Sequence, residues 1–159
     1  MTILISAGHS TRPVRPLHRA ERELLTCFAS AVDLDRVRII TRYSWLGRLV
    51  TRISGGSAVA LGYRIFLPGD NSLPTLAHEL THVSQYQRWG WWRYYLSGTW
   101  NQVVLRLLLR RDVYHWREET GKPFDQFGME QQGQIVEDCF NAASPRRIAA
   151  ATISPFRPL

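Results

Sequence analysis

The run His78-Glu79-Leu80-Thr81-His82 constrains this chain more than any other stretch of it. An α-helix turns once in about 3.6 residues, so two imidazoles four positions apart share a face and can close on one cation. The flanking residues agree with a helix. Asn71 and Ser72 are N-cap candidates, Pro74 suits a first turn, and Gly90 marks an end. Leu76, Leu80 and Val83 give the segment an apolar side. The fold must therefore bury one face of a helix that also presents two histidines.

Two histidines of this spacing point to zinc, which takes a third protein ligand and keeps a fourth position for water in catalytic sites. Glu79 is offset around the helix, at the edge of the histidine face, where a carboxylate can act as general base on a water. The third ligand must come from elsewhere. Downstream candidates are Asp112, Glu118, Glu119, Asp125, Glu130, Glu137 and Asp138, with His115 the later histidine. Glu130 is favoured, because the small Gly133 three residues on lets its helix approach the first one closely. Glu137 is the runner-up, two turns along the same face, and both cannot easily meet one ion. Tyr114 and His115 are candidates for donating a hydrogen bond to a developing oxyanion. Their plain alternative is a helix-surface pair beside Trp116.

Along the chain, residues 1–16 read as a loose lead-in and 17–31 as a helix with Leu17, Leu24, Leu25 and Phe28 at helical spacing. Arg36 to Thr41 reads as a short strand, 43–53 as helix or loop, and Ala58 to Leu61 and Tyr63 to Leu67 as strands around Gly62. The second of these, YRIFL, is placed where an edge strand pairs with an extended peptide. Further helices are expected over 98–118 and from Glu130 to about Ala143, then a tail over 144–159. Helix, short strands, then helices gives a single α+β domain over 1–159.

At 159 residues a chain buries roughly two-thirds of its unfolded surface. Its 45% hydrophobic and 21% charged residues argue against disorder. No apolar run reaches the roughly 18 residues of a membrane span, and the start lacks the basic and apolar regions of a signal peptide. Cytoplasmic folding is the expectation. The net charge of +7 comes almost wholly from arginines scattered along the chain, which disfavours a dedicated nucleic-acid surface. Cys27 and Cys139 form no CxxC pair and read as small buried apolar residues. The aromatic stretch 86–100, YQRWGWWRYYLSGTW, reads as a packed turn between helices that also walls the cleft.

HELTHVSQYQ followed by FGMEQQGQIVEDCF resembles the small gluzincin-type HExxH metallopeptidase-like domains of bacteria, found with contractile injection systems, spike-related proteins and polymorphic toxins. VDLDRVRI and YRIFLPGD resemble that family's lead-in strands, so the likeness covers roughly residues 17 to 142. It implies a compact zincin-like fold, a small sheet with an active-site helix packed on further helices. It also implies His78, His82 and Glu130 as zinc ligands and Glu79 as base. The expected partners are a protein or peptide substrate and a secretion-system or immunity protein, with export by a dedicated system. The family commonly has alanine where this chain has Gly133, and an acidic residue where it has Gln134. Asp138 is the residue expected to orient a ligand histidine. The rival reading is a non-catalytic zinc-binding interaction module.

Overall fold

Short runs that bury alternate side chains pair into sheets, and among the described residues four such runs do so. The computed structural model describes residues 14–41, 45, 48, 52, 56–67, 72–99 and 122–142. Its strands are β1 (Val14–Arg15), β2 (Arg38–Ile40), β3 (Val59–Leu61) and β4 (Arg64–Phe66), in the sheet order β1-β2-β4-β3. β2 and β4 run parallel, and the other two pairs are antiparallel. One row across the sheet, Arg15, Ile39, Ile65 and Ala60, is buried.

Three expectations about this region change. The lead-in is not loose throughout, since Val14 and Arg15 pair with Ile40 and Ile39. Arg15 then grips Glu21 through two 2.7 Å hydrogen bonds, both side chains buried. The helix expected over 17–31 is only α1 (Arg19–Leu24), followed by a 3-10 turn over Thr26–Phe28. Thr26 Oγ1 donates to the Glu23 carbonyl, a local bond that competes with helix continuation. Finally, YRIFL is not the edge strand. β4 is paired on both sides, and β3 is the outer strand. Ile65 on the inner strand and Ala60 on the outer one are both buried, so side-chain alternation does not show which strand lies at the edge.

α2 spans Leu73–Thr99. Ser72 Oγ accepts the Thr75 N–H at 3.3 Å, as its capping role requires. Leu73, Leu76, Ala77, Leu80 and Val83 are buried with Val37, Ile39 and Ile65 in one core. Gly90 interrupts the helix with φ 76° and ψ 165°, after which helical structure resumes. Residues 91–99 are thus not a turn. Glycine reaches positive φ without steric cost, so the helix changes direction there rather than ending. Trp91 and Trp92 are exposed, whereas Tyr94 is buried. The hairpin tip between β3 and β4 rests on α2. Gly62, at φ 62°, leaves so little room that a Cβ would lie 3.3 Å from Tyr86 Cζ.

α3 (Met129–Ala142) buries Met129, Glu130, Gln132, Gly133, Val136 and Phe140, a stripe at helical spacing that packs against α2. The α+β class is as expected. Both cysteines are free, and neither is fully buried as expected, Cys27 being half-buried and Cys139 exposed. Among the described residues no helix is long and apolar enough to cross a membrane. The helix expected over 98–118, with Tyr114 and His115, and the tail over 144–159 lie essentially outside the described residues.

Candidate metal centre

α2 carries His78 and His82 on one face, and the first turn of α3 brings Glu130 against them. His78 Nε2 and His82 Nε2 are 3.1 Å apart. Glu130 Oε2 lies 3.4 Å from His82 Nε2 and 3.7 Å from His78 Nε2. All three side chains are buried, and their ligand atoms lie within 4.8 Å of one another. Bonds of 2.0–2.1 Å in a tetrahedron put donor atoms about 3.4 Å apart. The cluster has the dimensions of a metal site before any metal is considered.

The hydrogen bonds around the rings fix what these atoms offer. Gln132 Nε2 donates to the Phe127 carbonyl at 2.9 Å, so Gln132 Oε1 turns towards Gln85 and accepts from its Nε2 at 2.9 Å. Gln85 Nε2 also donates to the Met129 carbonyl at 3.1 Å. Gln85 Oε1 is thereby left facing His82 Nδ1 at 2.8 Å, which must carry the proton. On the other ring, His78 Nδ1 faces a Glu137 carboxylate oxygen at 3.0 Å and likewise donates. With both protons on Nδ1, both Nε2 atoms present lone pairs to each other and to the Glu130 carboxylate. Three acceptors cannot converge in a buried site without a cation or a proton among them.

The electrostatics carry the same message. Burial disfavours charge on both imidazoles, yet Glu130 outweighs it. His78, which also faces Glu137, is pushed up to about 10, and His82 is raised as well. Burial likewise opposes the Glu130 carboxylate, but the two imidazoles hold it below the usual carboxylate range. The same three atoms that favour protons can hold a metal ion instead.

Gly133 is what allows the close approach. A Cβ there would lie 2.7 Å from His78 Nε2 and 2.9 Å from Cε1, so any larger residue must push the ring aside. Glu79, one residue from His78, is buried. Burial raises its pKa, while the imidazoles and the Ala60 N–H, which donates to it, pull the other way. Its Oε2 has no hydrogen-bond partner among the described residues. A buried carboxylate oxygen without a donor is costly, and here it sits beside a metal-sized cluster where a water would complete it.

Of the residues singled out from sequence, His78, His82, Glu130 and Glu79 come together. Glu137 does not join the cluster, but orients His78 from outside it. That is the role expected of Asp138, which instead accepts from Gln134 at 3.0 Å. Tyr114 and His115 lie outside the described residues. Sequence reasoning missed Gln85 and Gln132, although Gln85 stands one helical turn after His82 on the same face. It also missed Tyr94, whose hydroxyl donates to the Ala60 carbonyl at 2.7 Å.

No protein-family model matches this chain, and no solved structure does. The chain is similar to the type VI secretion system spike protein VgrG2b of Pseudomonas aeruginosa. The two are 31% identical over 121 residues, covering 71% of this chain and 11% of that protein. The chain spans only a small part of the length of the curated relative it matches.

Proposed function

We propose that this chain is a zinc metallopeptidase domain of the gluzincin type, built around His78, His82 and Glu130. The observation that carries the reading is the convergence of three buried acceptor atoms at tetrahedral spacing, with an unpartnered carboxylate oxygen of Glu79 beside them. Two imidazoles and one carboxylate are a donor set typical of catalytic zinc, and imidazoles disfavour magnesium or calcium. A zinc ion held there supplies Lewis acidity, making a water acidic near neutral pH and drawing charge from a carbonyl oxygen.

The chain's own groups do the rest. Glu79 takes a proton from the attacking water as the water oxygen bonds to the scissile carbonyl carbon. It passes that proton to the leaving amine as the C–N bond breaks. Burial raises the Glu79 pKa, which helps it hold the proton between the two steps. Glu137 and Gln85 keep both imidazoles in the tautomer that presents Nε2.

The likeness to a secretion spike protein supports a domain delivered by such an apparatus to a protein or peptide target. Glu79→Gln tests the chemistry. It is expected to keep the zinc and lose hydrolysis of a labelled casein by at least about a hundredfold. Zinc-loaded wild type that cleaves no faster than Glu79→Gln would favour the non-catalytic interaction module.

A further inference from the structure

The outer strand β3 has one residue whose backbone groups are both taken by side chains of α2. β3 and β4 are joined by the two-residue turn Gly62-Tyr63, with Leu61 opposite Arg64, Ala60 opposite Ile65 and Val59 opposite Phe66. In such a hairpin the pair flanking the turn exchanges hydrogen bonds, and the pairing alternates from there. Leu61 and Val59 therefore turn their N–H and C=O towards β4, and Ala60 turns both of its groups outward. The Ala60 N–H donates to the Glu79 carboxylate, and the Ala60 carbonyl accepts from the Tyr94 hydroxyl at 2.7 Å.

Tyr94 reaches this carbonyl because of the break at Gly90. Past that residue α2 changes direction, and Tyr94 becomes the buried side chain among exposed Trp91, Trp92, Tyr95 and Leu96. Its ring stacks edge-on with Tyr86 at 5.5 Å, and Tyr86 in turn meets Tyr63 of the hairpin tip at 5.7 Å. The ring is thus held on the hairpin by more than its hydroxyl.

We propose that Tyr94 is a positioning residue for the base: through the Ala60 carbonyl it holds β3 where the Ala60 N–H orients the Glu79 carboxylate. One Glu79 oxygen is thereby anchored, and Oε2 is left buried without a donor among the described residues. The effect of Tyr94 runs through the strand, by its hydroxyl on the Ala60 carbonyl. The inference rests on Glu79 being the base, but its structural core does not need turnover to be checked.

Amide hydrogen exchange, read residue by residue by NMR, separates the two. In Tyr94→Phe the ring remains and the hydroxyl is lost. Exchange at Ala60 is expected to rise about tenfold with Ile65 unchanged. Zinc affinity is expected to stay within about twofold, and kcat on labelled casein to fall about tenfold at constant KM. Glu79→Ala removes the other partner, and it should deprotect Ala60 by a similar factor. It also serves if Tyr94→Phe does not fold. Unchanged Ala60 exchange in either variant overturns the inference, as does an equal rise at Ala60 and Ile65, which marks a structural role alone. A kcat equal to wild type with Ala60 deprotected overturns the positioning role too. Wild type that keeps the exchange pattern but never cleaves casein counts against the hydrolase reading and leaves the tie between Tyr94 and β3 standing.

Discussion

A Cβ on residue 133 would stand 2.7 Å from His78 Nε2, closer than side-chain carbons approach other atoms. The distance between α2 and α3 is therefore set by a residue with no side chain, and the metal cluster exists only at that distance. The His78 ring can give way only by straining its 3.0 Å hydrogen bond to Glu137.

Gly133→Ala is accordingly expected to displace the His78 ring while the protein still folds. Zinc affinity should fall by about 10- to 100-fold, the range seen when a ligand's support is disturbed. A competition titration against a chromophoric chelator reads it. Unchanged affinity would mean that the helices separate without cost and that the close approach is not what forms the site.

The Phe127–Gln132–Gln85–His82 chain of hydrogen bonds makes Gln85 the residue that sets the His82 tautomer. Gln85→Ala is expected to lower zinc affinity by about tenfold or more. The ring nitrogen shifts of His82 should show a mixture of tautomers in the metal-free variant. In wild type they should show Nδ1–H predominating wherever the ring is neutral. A wild-type ring protonated only on Nε2 would reverse the assignment of donor and acceptor.

The metal-free protein should lose stability as pH rises. The His78 pKa is raised in the fold from an unfolded value near 6.5 to about 10. A raised pKa stabilises the protonated form, so this contribution is fully present below about 6.5 and is lost as pH climbs towards about 10. With zinc bound, protons no longer compete for the Nε2 atoms above that pH, and the decline should disappear. Thermal melts of chelated and zinc-loaded protein between pH 6.5 and 10 check this. Parallel curves for the two forms would contradict it.

The metal helix was legible in sequence because its cap, its apolar side and its histidine spacing all express one period, and no tertiary contact is needed to read it. Glu130 was readable for a related reason, since a glycine one turn later means little except close packing. The tertiary partners were not readable in this way. Glu137 and Asp138 are adjacent carboxylates on one helix, and only the rotation of α3 against α2 decides which faces His78. Nor did the strand runs show which lies outermost, because strand order depends on connections between elements. The aromatic stretch misled for a local reason. Gly90 resembles a helix stop, and only its ψ of 165° and the resumed helix show it to be a bend. Tyr94 gained its role from that bend.

The most direct measurement is the metal content of protein purified without chelator, taken by elemental mass spectrometry beside Glu130→Ala. About one zinc per wild-type chain is expected. In Glu130→Ala two imidazoles remain, and most of that zinc should be lost through dialysis. Wild type carrying no metal, or Glu130→Ala keeping a full equivalent, would contradict the site.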